Sequence, residues 1–155
     1  WTLSRGLGDV YKRQDDNEAS RSLPPDEVLW ITRMQAGKEW VWISGNHDPS
    51  PKNLGGSFLQ SLKIEKLNFQ HIANAEKCCE ISGHYHPKIK VMLQGQSFTK
   101  PCFLVDENRV IMPAYGAYTG GLYCNSEPLR SIMQKKAIAL MTGKKVYPIP
   151  VSKAY

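Results

Sequence analysis

The sequence predicts an α/β protein built on stacked sheets. Three observations carry that prediction. Short runs that are β-branched and aromatic, or that alternate apolar with polar, recur from Glu39 to Ile149. One segment has complete helix start and stop signals, and a second suits only a short helix. The chain has 155 residues, 41% hydrophobic and 22% charged, which is enough for one packed domain and unlike a disordered composition.

The elements follow in order. Pro24 and Pro25, then Asp26 and Glu27, open a helix, because proline suits the first turn and acids suit its dipole. Val28, Ile31 and Met34, with Leu29 and Trp30 beside them, form its apolar face, and Gly37 ends it. Glu39 to Ser44 (EWVWIS) reads as a buried strand stopped by Gly45, and Pro49 to Gly56 reads as a loop. Phe58 to Phe69 holds two short extended segments, and Cys78 to Ser82 is a strand before Gly83. Lys88 to Gln94 alternates through Ile89, Val91 and Leu93, as a strand with one wet face does. Phe98–Val105 and Arg109–Met112 form a hairpin, and Pro113 to Gly121 is a glycine-bearing loop. Ser126 to Lys135 suits a short helix, with Ala137–Met141 and Val146–Ile149 as a last strand pair.

Composition excludes several classes. No run approaches the roughly 18 apolar residues that span a bilayer, and no apolar leader core is present, so a cytoplasmic protein with no membrane partner is expected. The cysteines Cys78, Cys79, Cys102 and Cys124 lack CxxC spacing, which argues against a zinc ribbon and a disulfide framework. Reduced, mostly buried thiols are the expectation. The net charge of +6 permits a polyanionic partner without requiring one.

Residues 1–14 (WTLSRGLGDVYKRQ) stand apart, because GDVYKRQ resembles translated sequencing adapter. Without Arg5, Lys12, Arg13 and Asp9, 17 basic residues face 13 acidic ones, a net of +4. The expected domain is 15–155, the C-terminal part of a single domain that is incomplete at its N-terminus.

The four histidines carry the functional reading. His47 lies in Gly45-Asn46-His47-Asp48, and His84 and His86 lie in Gly83-His84-Tyr85-His86-Pro87, each motif just after a predicted strand. A specified GNHD arises by chance in a chain of this length on the order of once in a thousand. In an extended segment, residues i and i+2 share a side, so His84 and His86 are expected to project together. Imidazole binds Zn, Mn, Fe and Ni, and two rings can each serve one ion of a pair about 3.5–4 Å apart. The Asn46 amide oxygen can ligate a metal without adding charge. His47 is placed near the metals, where a general acid or phosphate contact is needed. Against this, a single histidine is most often a surface or satisfied core residue. Asp48 suits a loop cap or a partner for His47, and Tyr85 suits packing.

The motif set resembles the calcineurin-like metallophosphoesterases, whose series is DxH, GD, GNH(D/E), a lone histidine and GHxH. The last three stand here as Asn46-His47, His71 and His84-x-His86. WVWISGNHDP, FQH at Phe69–His71, ISGHYHP, PCF at Pro101–Phe103 and MPAYGAYTGG are similar to the ligase-associated DNA damage response endonuclease (PdeM) subgroup. The likeness runs from Ser22 to about Leu129. It implies a four-layer αββα sandwich with ligands on loops at strand ends. It implies that Asn46, His71 and His84 bind one metal, that His86 binds the other, and that His47 contacts the scissile phosphate and protonates the leaving oxygen. It implies two divalent ions, most often Mn2+, with Fe, Ni or Zn as alternatives, which activate a hydroxide against phosphorus. DNA as substrate and a DNA ligase and helicase as repair partners follow from the subgroup alone.

The sequence departs from that series upstream. DxH is missing, and Gly8-Asp9 mimics GD inside the segment set apart. Without a bridging aspartate, the chain as written is expected to bind one metal weakly and to hydrolyse little. Three functions compete: a DNA phosphodiesterase or endonuclease, a phosphatase or phosphodiesterase acting on a small nucleotide or phosphomonoester, and a non-catalytic nucleic-acid-binding domain. The paired histidine motifs favour the first two. Lys88, Lys90 and Lys100 suit either an exposed strand face or a track for a phosphate backbone.

Overall fold

The computed structural model describes residues 23–45, 54–76, 78–115 and 119–154, together with the backbone of residues 2–4. It is a mixed α/β structure with two sheets. The smaller contains β1 (Thr2–Ser4), β2 (Trp40–Ile43) and β3 (Ser57–Leu59), all parallel and in that order. β1 falls within the segment set apart on sequence. Strand pairing uses backbone groups, which the segment supplies whatever its origin.

The larger sheet takes eight strands. These are β4 (Ser61–Ile64), β5 (Leu67–Gln70), β6 (Glu80–Ser82), β7 (Lys88–Leu93), β8 (Gln96–Val105), β9 (Arg109–Ile111), β10 (Ile138–Met141) and β11 (Tyr147–Pro150). Their order is β11-β10-β8-β9-β6-β5-β4, with β7 paired to β8 off that path. The central strands β5, β6 and β9 run parallel, so their carboxyl ends open on one edge of the sheet. Strand β8 is long enough to pair with β7 along its first half and with β9 and β10 along its second.

A helix packs on each sheet. Helix α1 (Pro25–Gln35) has Pro24 at its N-cap, Asp26 and Glu27 in its first turn and Arg33 in its last, each complementing the dipole. It ends as Gly37 takes a φ of +69°. Its Ile31 is buried against Trp40, Trp42 and Leu54. Leu29 and Trp30, neighbours of the apolar face in sequence, are exposed. Helix α2 (Leu129–Ile132) is a single turn that sets Leu129 into a second core with Ile89, Leu104, Ile111 and Ala139. Burying each such side chain contributes about 1.5–3 kcal/mol, which outweighs the weak intrinsic stability of one helical turn.

Gly56 is required where it stands. Its φ is +107°, and a Cβ there would lie 2.7 Å from the Trp40 carbonyl oxygen and 3.1 Å from Trp42 Nε1. Gly56→Ala is expected to destabilise the chain by about 1–3 kcal/mol, because backbone and ring cannot both retreat. A urea midpoint unchanged by the substitution would contradict this.

Several elements differ from the sequence reading. The stretch from Phe58 to Phe69 contains three strands rather than two, because Glu65, at φ +52°, turns the chain between β4 and β5. The predicted helix over Ser126–Lys135 shrinks to one turn. The strand expected from Cys78 begins only at Glu80, since Cys79 sits at φ +53° and both cysteines are exposed. The expectation of mostly buried thiols therefore holds for Cys102 and Cys124 alone. The contact with the Cys124 thiol, then burial, pushes the Cys102 thiol far above its ordinary value. A thiol reagent is expected to modify two cysteines in the native chain and the other two only in denaturant. Four equally fast reactions would refute that.

Candidate active site

Parallel strands deliver three histidine-bearing or flanking segments to one place. His71 follows β5 and Gly83 follows β6, and these strands are neighbours. The Gly83 amide donates to the His71 carbonyl at 2.9 Å, tying the two strand ends together. On the other sheet, the Ser44 amide after β2 donates to the Leu59 carbonyl at 2.9 Å. Gly45 then lies against the His71 ring, where an added Cβ would stand 3.0 Å from Cε1. Ligands at the carboxyl ends of parallel strands are the usual placement in open α/β sheets.

His71 Nε2 and His84 Nδ1 face each other at 3.1 Å, with the rings edge to face at 70°. Two nitrogens each 2.0–2.1 Å from one ion stand about 2.9–3.4 Å apart across octahedral to tetrahedral angles. That separation is one a shared divalent ion would require, and here it is spanned by a hydrogen bond between the two rings. Among the described residues, no cluster of three His, Cys, Asp or Glu side chains is assembled. Further ligands would have to come from carboxamide or carbonyl oxygens, from solvent, or from residues beyond those described.

The geometry of the second motif corrects the alternation argument. His84 and His86 sit at φ +63° and +47°, so the segment is a turn and not an extended run. The Tyr85 amide donates back to the Gly83 carbonyl at 2.7 Å, which tightens it. Histidine tolerates the left-handed region better than most side chains, yet each such residue costs of order 1–3 kcal/mol, a strain typical of functional loops. Tyr85 packs its ring on His84, with centroids 5.0 Å apart, and rests on the larger core, in line with a packing role. His86 is buried.

The glycine loop has a specific use here. A Cβ on Gly121 would run into the His86 carbonyl oxygen and lie 3.0 Å from His86 Cβ. Gly121 thus lets the loop press directly on the motif. Around it, the Lys88 amide donates to Leu122, and the Lys88 ammonium donates to the Thr119 carbonyl at 3.0 Å. Lys88, Thr99 and Thr119 line a cleft of about 220 Å³ beside His86.

One supporting group was illegible in sequence. Glu80 and Arg109 are register partners on β6 and β9, and both are buried. Glu80 Oε2 accepts the Asn74 amide at 2.9 Å. Arg109 donates to the Asn74 and Ala75 carbonyls at 3.1 and 3.2 Å. Together they clamp the loop that begins at His71. No spacing rule links an acid before GHxH to an arginine in a later hairpin.

Asn46, His47, Asp48 and Asp9 lie outside the described residues. No described helix is long and apolar enough to cross a membrane. No protein-family model and no curated protein matches the sequence. Among solved structures, the nuclease MPE of Pseudomonas putida is similar, with a TM-score of 0.56 at 23% identity over 81% of this chain. This chain spans 60% of that protein's length, and at such identity the likeness is one of fold.

Proposed function

We propose that this chain is a metal-dependent phosphodiesterase of nuclease type. The observation that carries this reading is the pair of imidazole nitrogens, His71 Nε2 and His84 Nδ1, facing each other at 3.1 Å on a strand-end loop cluster. The fold shared with a protein described as a nuclease supports it. In this reading His71, His84 and Asn46 would hold the one weakly bound divalent ion, and His86 would serve a second ion only where the missing upstream ligands are supplied, with manganese first in order and iron, nickel or zinc as alternatives. Bound ions would neutralise charge on the phosphate and lower the pKa of an attacking water. His47 contacts the scissile phosphate and protonates the leaving oxygen. Gly45 lets the backbone lie against the His71 ring, and Gly121 lets the glycine loop lie against His86. DNA is the substrate, a ligase and a helicase are repair partners, and the setting is cytoplasmic. These finer assignments rest on the motif likeness to the ligase-associated endonucleases.

Slow hydrolysis of bis-p-nitrophenyl phosphate with manganese, limited by the missing DxH and bridging-aspartate ligands and abolished in His84→Ala, is the expected result. Cleavage of a phosphomonoester but of no diester would overturn the phosphodiesterase assignment. Manganese-dependent nicking of plasmid DNA separates a nuclease from an enzyme of small nucleotides.

A further inference from the structure

The cleft beside His86 has a chemistry that the metal-binding residues do not account for. Lys88 directly follows the second motif, and its half-buried stem passes Gly121, where an added Cβ would be 3.1 Å from Cε. Its ammonium spends one of three donors on the Thr119 carbonyl. Among the described residues no acceptor takes up the remaining two. In the β7–β8 register, Lys88 pairs with Pro101 and Lys90 with Thr99, so these four share one face of the hairpin. Lys100 also borders the cleft. Among its described lining residues there is no aspartate or glutamate, and residues 113–121 contain none in sequence. A positive charge held partly out of water, with no carboxylate beside it, attracts an anion more strongly than the exposed lysines elsewhere do. At about 220 Å³ the space is below the usual size of a small-molecule pocket but admits a phosphate with part of its sugar.

We infer that this cleft is a subsite for the phosphate next to the scissile one, so that the chain prefers a polynucleotide strand to an isolated diester. The inference rests on the phosphodiesterase reading for its direction, but the binding it asserts is measurable without catalysis. Lys88 would bind the neighbouring phosphate by charge and hydrogen bonding, with the Thr99 hydroxyl beside it, and would make no contact with the reacting atoms.

The test is fluorescence anisotropy of a labelled oligothymidylate with the whole chain, in EDTA, across a salt series. Lys88→Gln is expected to weaken binding about five- to tenfold and to flatten the slope of log K against log salt by about 0.7, the value for one single-strand phosphate contact. Lys88→Arg is expected to retain both affinity and slope. An unchanged slope in Lys88→Gln, or an equal loss in Lys88→Arg, would overturn the subsite, the latter because it marks a packing role. Should Lys88→Gln fail to fold by its thermal melt, Lys88→Met, which keeps an apolar stem beside Gly121, decides: weaker binding with a flatter slope supports the cleft, and no change rejects it. Bis-p-nitrophenyl phosphate, which has no flanking phosphate, tests the catalytic reading separately. A chain inert toward it but showing Lys88-dependent binding loses the catalytic reading and keeps the subsite.

Discussion

His84→Ala is expected to lower manganese affinity by about 100-fold or more, with the fold intact. The reasoning is geometric. Nδ1 of His84 and Nε2 of His71 stand 3.1 Å apart, a separation that one ion can bridge. Removing either ring leaves the ion one imidazole from this pair, and losing a directly bound nitrogen costs more than the 10–100-fold typical of groups that only orient a ligand. The fold should survive because His84 is only half buried and lies on a turn at positive φ, outside the two cores. Isothermal calorimetry on the chain and on His84→Ala and His71→Ala would settle it. Equal manganese affinity in all three would mean that the two rings simply hydrogen-bond each other. Two tight manganese sites per chain would instead contradict the expectation that a sequence lacking DxH and a bridging aspartate binds one ion weakly.

The second large effect is on stability. Arg109→Ala is expected to cost about 2–4 kcal/mol, because it removes the two hydrogen bonds that the buried guanidinium donates to the Asn74 and Ala75 carbonyls. Urea unfolding would register this as a lower midpoint at constant slope. Arg109→Lys should recover only part of the loss, since a single ammonium cannot span the Asn74 and Ala75 carbonyls as the planar guanidinium does. Weaker manganese binding is expected to accompany the loss, because the clamped loop starts at His71. A cost below about 1 kcal/mol would show that the loop holds itself without the clamp.

Much of this architecture is legible in the sequence, for identifiable reasons. Helix α1 announces itself through Pro24, Pro25, Asp26 and Glu27, and β2 through the run WVWI, because local propensity and burial agree there. The antiparallel pairs β8–β9 and β10–β11 also follow from local pattern and short connections. The three-way split around Glu65, the late start of β6 and the turn through His84 and His86 depend on non-glycine residues at positive φ, which composition does not reveal. In the site, the GHxHP spacing pointed to His84, whereas His71 follows only from the likeness to the metallophosphoesterase series. The Glu80–Arg109 clamp stayed hidden because its partners are 29 positions apart and belong to no pattern. The purpose of Gly121 was ambiguous until its approach to His86 was seen.

The outer margin of the larger sheet has a consequence for the chain among its own copies. Among the described strands β11 pairs only with β10, and Pro148 and Pro150 occupy alternate positions opposite Leu140 and Ile138. Residues two apart turn their nitrogens the same way, and the ladder to β10 persists, so the missing N–H groups fall on the side away from it. A second molecule trying to extend the sheet there would meet two gaps where donors should be. That border resists the edge-to-edge growth that feeds fibrils, which leaves the opposite border at β4, where Lys63 supplies only a charge, as the more vulnerable seam in crowded solution.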